Sequence, residues 1–223
     1  MCVNFRSVKP QALAELFGAE LPEDAPLWPE EVWQDYAAPI IRSDSDIRQI
    51  TVGSYGMVPK RHIPAGVKKF TTMNARIEEI GMKRSYSKQW REGNLCLVPL
   101  QHFYEPNWET GQHVRWRIGL TGAKPFAVAG LWRNWKEEDG SVTTAFTQLT
   151  MNADDHPVMN RFHKEGQEKR SLIVIPEDEW DDWLHCRDPE VARSFARLLL
   201  AECYEVQPAP KTLPKVESLF EDV

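Results

Sequence analysis

The chain has 223 residues, 42% of them hydrophobic, with nine tryptophans and a formal net charge of −6. This suits one domain with a sizeable core and argues against a protein that coats duplex DNA by bulk electrostatics. Four widely spaced cysteines without a C-x-x-C pair argue against a zinc site or disulfide scaffold, and the apolar run 198–201 is too short to span a bilayer, so a reduced cytoplasmic setting is expected.

Residues 10–18 read as a short helix with Pro10 at its start and Gly18 at its end. A Pro-rich acidic stretch follows, then a helical turn over 29–36 and an extended run at 38–41, because the residue before Pro39 avoids the helical region. Strands are expected at 47–55, 95–104, 114–120, 126–132, 142–150 and 172–175, where β-branched and aromatic residues lie between Gly, Asp, Asn or Pro. A helix over 77–92, broken near Gly81, would bury Ile77, Ile80, Tyr86 and Trp90. Two more are expected at 177–185 and 189–201, the second with Asp188 as N-cap and Pro189 at its first position. The sum is an α+β fold, a mainly antiparallel barrel-like sheet with flanking helices. It forms one domain over 1–207, with a loose Pro-rich and acidic tail over 208–223.

Charge is segregated along the chain. Residues 60–76 hold five cations and no carboxylate, whereas 177–190 hold seven carboxylates and one arginine. The basic stretch is a candidate phosphate-binding surface, and its plainer reading is a solvated charge run.

The second residue offers unusual chemistry. Removal of Met1 would leave Cys2 with an α-amine and a thiol on adjacent carbons, a 1,2-aminothiol. The amine condenses with an aldehyde to an imine, and the thiol then adds to the imine carbon and closes a thiazolidine. Both groups titrate near neutrality, at about 7.7–8.0 for the amine and about 8.5 for the thiol.

Four further motifs accompany it: Asn74-Ala75-Arg76-Ile77-Glu78, Phe103-Tyr104-Glu105-Pro106, Asn160-Arg161-Phe162-His163-Lys164 and Glu168-Lys169-Arg170. In this order, and with Met1-Cys2, they resemble the SOS-response-associated peptidase family, also called abasic-site processing proteins, over roughly residues 1–207. The resemblance implies an antiparallel barrel-like fold with a basic groove for single-stranded DNA. It also implies covalent capture of the ring-opened abasic sugar by the N-terminal cysteine. Strand-cleaving lyase activity and self-processing peptidase activity go with it.

Carried over residue by residue, Cys2 would be the nucleophile, Asn74 would hold the N-terminal residue or the sugar, and Glu105 and His163 would move protons. Arg76 and Arg170 would bind backbone phosphates, with Arg161 and Lys164 as weaker candidates and Lys60, Arg61 and His62 as further contacts. Structural roles stand beside these: a salt bridge for Glu105, a hydrogen-bonded surface site for His163 and a helix N-cap for Asn74. The implied partner is single-stranded DNA with abasic sites, bound in the cytoplasm at the nucleoid. Neither a metal nor an organic cofactor is expected, nor a membrane, nor an obligate protein partner. Two other functions compete: an N-terminal-cysteine hydrolase of amide bonds, with Cys2 as nucleophile and His163 as base, acting without nucleic acid, and a non-catalytic nucleic-acid- or modified-base-binding module in which Cys2 plays no part.

The sequence also departs from the family pattern. It begins Cys2-Val3-Asn4-Phe5-Arg6, lacking the arginine expected two residues after the cysteine, and 54–62 lacks the expected tryptophans. Base stacking would then fall to His62, Phe70 or Trp108, with Lys60 and Arg61 compensating electrostatically.

Overall fold

The computed structural model describes residues 3–45 and 47–211, and Met1, Cys2, Asp46 and residues 212–223 lie outside the described residues. In chain order the elements are β1 (Asn4–Ser7), α1 (Pro10–Phe17), β2 (Glu31–Val32), β3 (Ala37–Asp44), β4 (Ile47–Tyr55), β5 (Asn74–Arg76) and α2 (Ser87–Arg91). There follow β6 (Leu95–Asn107), β7 (Val114–Leu120), β8 (Phe126–Lys136), β9 (Val142–Asn152), β10 (Arg170–Leu172) and β11 (Val174–Ile175). The last are α3 (Trp180–His185), α4 (Pro189–Ser194) and β12 (Tyr204–Pro208).

The sheet closes on itself. Strands β8, β9, β4, β3 and β6 are hydrogen-bonded in that order, and β6 returns to β8 from Leu95↔Leu131 to Leu100↔Phe126. Four of these five junctions are antiparallel, and β4 against β9 is parallel. The expected α+β, mainly antiparallel barrel is therefore present.

Side-chain alternation along the strands divides the core in two. On β6, Cys96 and Val98 point into an inner cluster with Ile40, Tyr55, Val128 and Phe146, whereas Leu95 and Leu97 point outward. The outer cluster is where α1, α2 and α3 bury Phe17, Trp90, Trp180 and Trp183. Trp183 also donates from Nε1 to Cys96 O at 2.9 Å, tying α3 to the barrel wall.

Several expected elements change. The helix over 77–92 shrinks to α2, because residues 74–76 instead pair in parallel with Gln148–Thr150 of β9 and Ile77 N donates to Thr150 O. Its four expected apolar residues are nonetheless buried. The helical turn at 29–36 is replaced by β2 and a tight turn in which Asp35 takes φ 67°. The last helix stops at Ser194, six residues after its Asp188 cap. Of the tail expected over 208–223, residues 212–223 lie outside the described residues, and its first residues are paired. Pro208 pairs with Trp116 and Ala209 N donates to Arg115 O, so this end is seated against β7.

Candidate active site

Beyond Leu100, β6 leaves β8 behind and continues with β1 on one side and β7 on the other. In this extension Asn4 stands opposite Tyr104 and Glu105 opposite Trp116. Period-two alternation sends Phe103 and Glu105 to the same, inner face, which leaves Glu105 only 3% exposed. A carboxylate there lacks the water that favours its charge, and burial raises its pKa to about 7.

His163 reaches this carboxylate from a distant part of the chain. A single 3-10 turn at Met159–Arg161 brings Phe162 into an isolated bridge with Asn107, and His163 N donates to Pro106 O at 2.8 Å. His163 adopts φ 65°, a left-handed conformation uncommon for a residue with a Cβ. Its backbone carbonyl accepts from Lys169 Nζ at 2.9 Å, and its Nε2 lies 3.4 Å from Glu105 Oε2. Burial, with nearby positive charge including Lys169, depresses the imidazole pKa to about 4.

The separation alone would suggest an ion pair, but both shifts run against one. Burial is the largest cause of both, so near pH 7 the imidazole is neutral and the carboxyl is close to half protonated. Such a pair can give a proton from one side and accept one on the other.

Asn74 arrives by a third route. It opens β5 rather than capping a helix, in register with Gln148, and its carbonyl accepts from Tyr86 Oη at 3.2 Å. The preceding Met73 packs in the inner cluster with Phe5, Phe103 and Phe162, which flank Asn4, Tyr104 and His163 in sequence. The structure thus brings two of the four expected catalytic residues, Glu105 and His163, side by side, while Asn74 follows a residue of the same apolar cluster and Cys2 lies outside the described residues.

A cleft of about 510 Å³ opens beside Glu105. Val3 and Asn4 line it, with Trp33, Tyr104 and Arg115. None of these was singled out from the sequence as a site residue. The alternating cations of Val114-Arg115-Trp116-Arg117 on one strand were the available signal.

The expected phosphate contacts separate into groups. Arg61 bonds Glu137 and Thr143 near the start of β9, whereas Arg170 bonds Thr150 near its end. Seven residues of strand between Thr143 and Thr150 amount to about 23 Å. At the first place Lys60 Nζ is 3.3 Å from Asp35 Oδ2, and Arg61 and His62 share Glu137 Oε1 at 2.8 and 3.2 Å. Arg61, then Thr143, holds the Glu137 carboxyl down at about 2. His62 has one face stacked on Trp135 at 4.1 Å and a side chain only 16% exposed, so its ring is poorly placed to stack on a base.

At the second place Arg170 is 3% exposed and surrounded by acceptors. Its guanidinium bonds Glu78 at 2.8 and 3.0 Å, Glu168 at 2.8 Å and Thr150 O at 2.8 Å. It is a buried clamp between β10, β9 and the segment after β5, and the expected phosphate contact is not available to it. Arg76, by contrast, is 42% exposed and meets Glu168 at 2.7 Å. Arg161 makes a two-pronged contact with Glu109 at 2.8 and 3.1 Å, and Lys164 Nζ lies 5.9 Å from the Trp108 ring. Phe70 is 41% exposed, between Lys68-Lys69 and the strand β5.

Residues 1–214 match the family described as SOS response associated peptidase (SRAP). The chain belongs to this family. A curated relative, the abasic site processing protein YobE of Bacillus subtilis (strain 168), is 25% identical over 129 residues, 56% of this chain and 55% of the relative. The match thus spans about half the length of that relative. A crystal structure of a protein from Bordetella bronchiseptica superposes with a TM-score of 0.83 at 26% identity, covering 94% of this chain and 100% of that one. A protein from Bacteroides thetaiotaomicron (TM-score 0.72, 19% identity, 93% of this chain and 91% of that one) shares the fold. So does a phage-related protein of Bordetella bronchiseptica (TM-score 0.65, 17% identity, 94% and 95%).

Proposed function

We propose that this SRAP-family protein processes abasic sites in single-stranded DNA by capturing the sugar aldehyde on Cys2 after Met1 is removed. The observation that carries the reading is the register of β1 on β6. It sets Asn4 opposite Tyr104, beside a buried Glu105 that His163 approaches to 3.4 Å. Cys2 directly precedes Val3 in the sequence, and Val3 and Glu105 line the same cleft.

The α-amine of Cys2 attacks the C1 aldehyde of the ring-opened sugar and forms a carbinolamine. Neutral His163 takes the proton that the attacking nitrogen gives up, and protonated Glu105 delivers one to the departing hydroxyl, so that water leaves and the imine forms. The Cys2 thiol then adds across the C=N bond, sulfur to carbon and proton to nitrogen, and closes the thiazolidine. Water is the one product released, and no oxidant is consumed. The same imine acidifies the sugar C2 proton, so β-elimination and strand cleavage compete with ring closure. Asn74 would orient the N-terminal residue or the sugar through its amide.

Intact mass spectrometry tests this directly, on the protein alone and after incubation with a single-stranded oligonucleotide carrying one abasic site, beside Cys2→Ala. The expected result is a mass lacking methionine and a heat-stable adduct that is absent from the variant. A methionine-free protein that forms no adduct would overturn the proposal. Amide turnover that persists at high salt without nucleic acid would instead favour the hydrolase reading.

A further inference from the structure

We propose that the cleft beside Glu105 is a nucleotide seat, in which Arg115 and Lys211 hold the backbone phosphate next to the lesion and Trp33 stacks on the neighbouring base. This assignment rests on the DNA reading above and adds three residues to it.

The cleft is built as a cationic slot with apolar walls. Arg115, opposite Pro106 on β7, lies with its guanidinium carbon 3.2 Å from the Tyr104 ring centroid and donates from Nη2 to Glu31 Oε1 at 2.6 Å. Asn4 Nδ2 donates to the same Glu31 oxygen at 2.6 Å, so one carboxylate fixes the arginine against the strand that starts at the site. Lys211 Nζ is 3.9 Å from that oxygen and 4.0 Å from the Trp33 ring centroid. Two cations thus face the Glu31 carboxylate, and Glu105, the other acid lining the cleft, is only partly ionised near pH 7, so the cleft keeps a net positive charge for a phosphodiester.

Val3, Pro106, Val114 and Pro210 supply apolar walls, with Glu105 and His113 completing the lining. Flat apolar surface beside a fixed guanidinium suits a base splayed out of a single strand, because duplex bases are stacked and paired out of reach. The guanidinium lies over the Tyr104 ring and is partly exposed, and its planar fork of donors matches oxygen acceptors such as phosphate. Where the family pattern places an arginine two residues after the cysteine, this chain has Asn4, and Arg115 reaches the same Glu31 oxygen from the neighbouring strand.

The test uses a fluorescent single-stranded oligonucleotide whose central sugar is tetrahydrofuran, an abasic analogue with no aldehyde, so binding is read without crosslinking. Trp33→Ala should weaken binding about fivefold to a hundredfold, the range for losing one base–aromatic stack, and Trp33→Phe should retain most of it. Arg115→Ala should lower the slope of log affinity against log salt by about 0.7, one phosphate contact on a single strand, while Arg115→Lys keeps the slope. Should Trp33→Ala fail to fold, Trp33→Leu keeps apolar bulk without the ring. Wild-type affinity and salt slope in the Trp33 and Arg115 variants would overturn the proposal, as would equal competition by a mononucleotide or by duplex. A wild-type protein that binds the analogue through these residues yet never crosslinks the true abasic oligonucleotide would sink the capture chemistry and leave the seat standing.

Discussion

Glu105 Oε2 and His163 Nε2 face each other across 3.4 Å, one from the inner face of a long strand, the other from a loop residue in left-handed conformation. Because burial raises the carboxyl to about 7 and lowers the imidazole to about 4, the two groups hold one proton to give and one site to receive it at neutral pH. Glu105→Gln keeps the shape and the hydrogen bonding but cannot give up a proton. Its crosslinking rate is expected to fall about 10²- to 10⁴-fold, the span of general acid–base catalysis. In the wild type the rate should also drop as pH rises through about 7 and Glu105 loses its proton. Single-turnover crosslinking against pH should show that falling limb, and the variant should lack it.

The same pair sets an unusual dependence of stability on pH. Glu105 binds a proton more tightly folded (about 7) than at its ordinary value of 4.5, so its contribution is complete below 4.5 and is lost as pH rises to 7. His163 runs the other way: folded near 4 against an ordinary 6.5, it favours the folded state above 6.5 and loses that advantage as pH falls. The two slopes oppose between 4.5 and 6.5, so the wild type should be nearly flat there and decline towards 7. Glu105→Gln removes one slope, so the variant should gain about 3 kcal/mol relative to the wild type between pH 4.5 and 8. Urea unfolding at a series of pH values measures it.

Much of the barrel was legible in the sequence, and the reason is compositional. Strands β4 and β7 occupy the expected spans, because β-branched and aromatic residues between turn-forming residues favour a pleated, half-buried surface. The failures share a cause. Asn74-Ala75-Arg76 reads locally as a helix start, yet it pairs with Gln148–Thr150, a partner more than 70 residues away that no local pattern announces. The same holds at the site. Glu105 and His163 were visible as residue types in motifs, whereas Arg115, Glu31 and Trp33 come together only through strand register. Arg170 looked like a surface cation because its neutralising partner, Glu78, is 92 residues away.

The left-handed backbone at His163 separates chemistry from strain. Every residue with a Cβ is strained at φ 65°, and glycine is not. His163→Ala and His163→Gly should both lose crosslinking. Against the usual entropic disadvantage of glycine, His163→Gly should be the more stable of the two by about 1 kcal/mol. Thermal or urea unfolding of the two variants decides it, and a more stable alanine variant would mean that the loop relaxes once the imidazole is gone.

Arg76 and Arg170 meet the same carboxylate, Glu168, at 2.7 and 2.8 Å, yet they should respond to mutation in opposite ways. Arg170 is buried with Glu78, Glu168 and the Thr150 carbonyl around it, so Arg170→Ala leaves acceptors without their donor and should cost about 3–5 kcal/mol of stability. Arg76 is 42% exposed, and its contact with Glu168 is screened by solvent, so Arg76→Ala should change stability by less than about 1 kcal/mol. If Arg76 exchanges Glu168 for a phosphate when DNA binds, Arg76→Ala should instead lower the salt slope of oligonucleotide affinity by about 0.7. Unfolding and binding measured on both variants form a crossed test. A destabilised Arg76→Ala with unchanged binding would place Arg76 in the clamp with Arg170, and the phosphate track would then have to run through Lys164 and the lysines before Phe70.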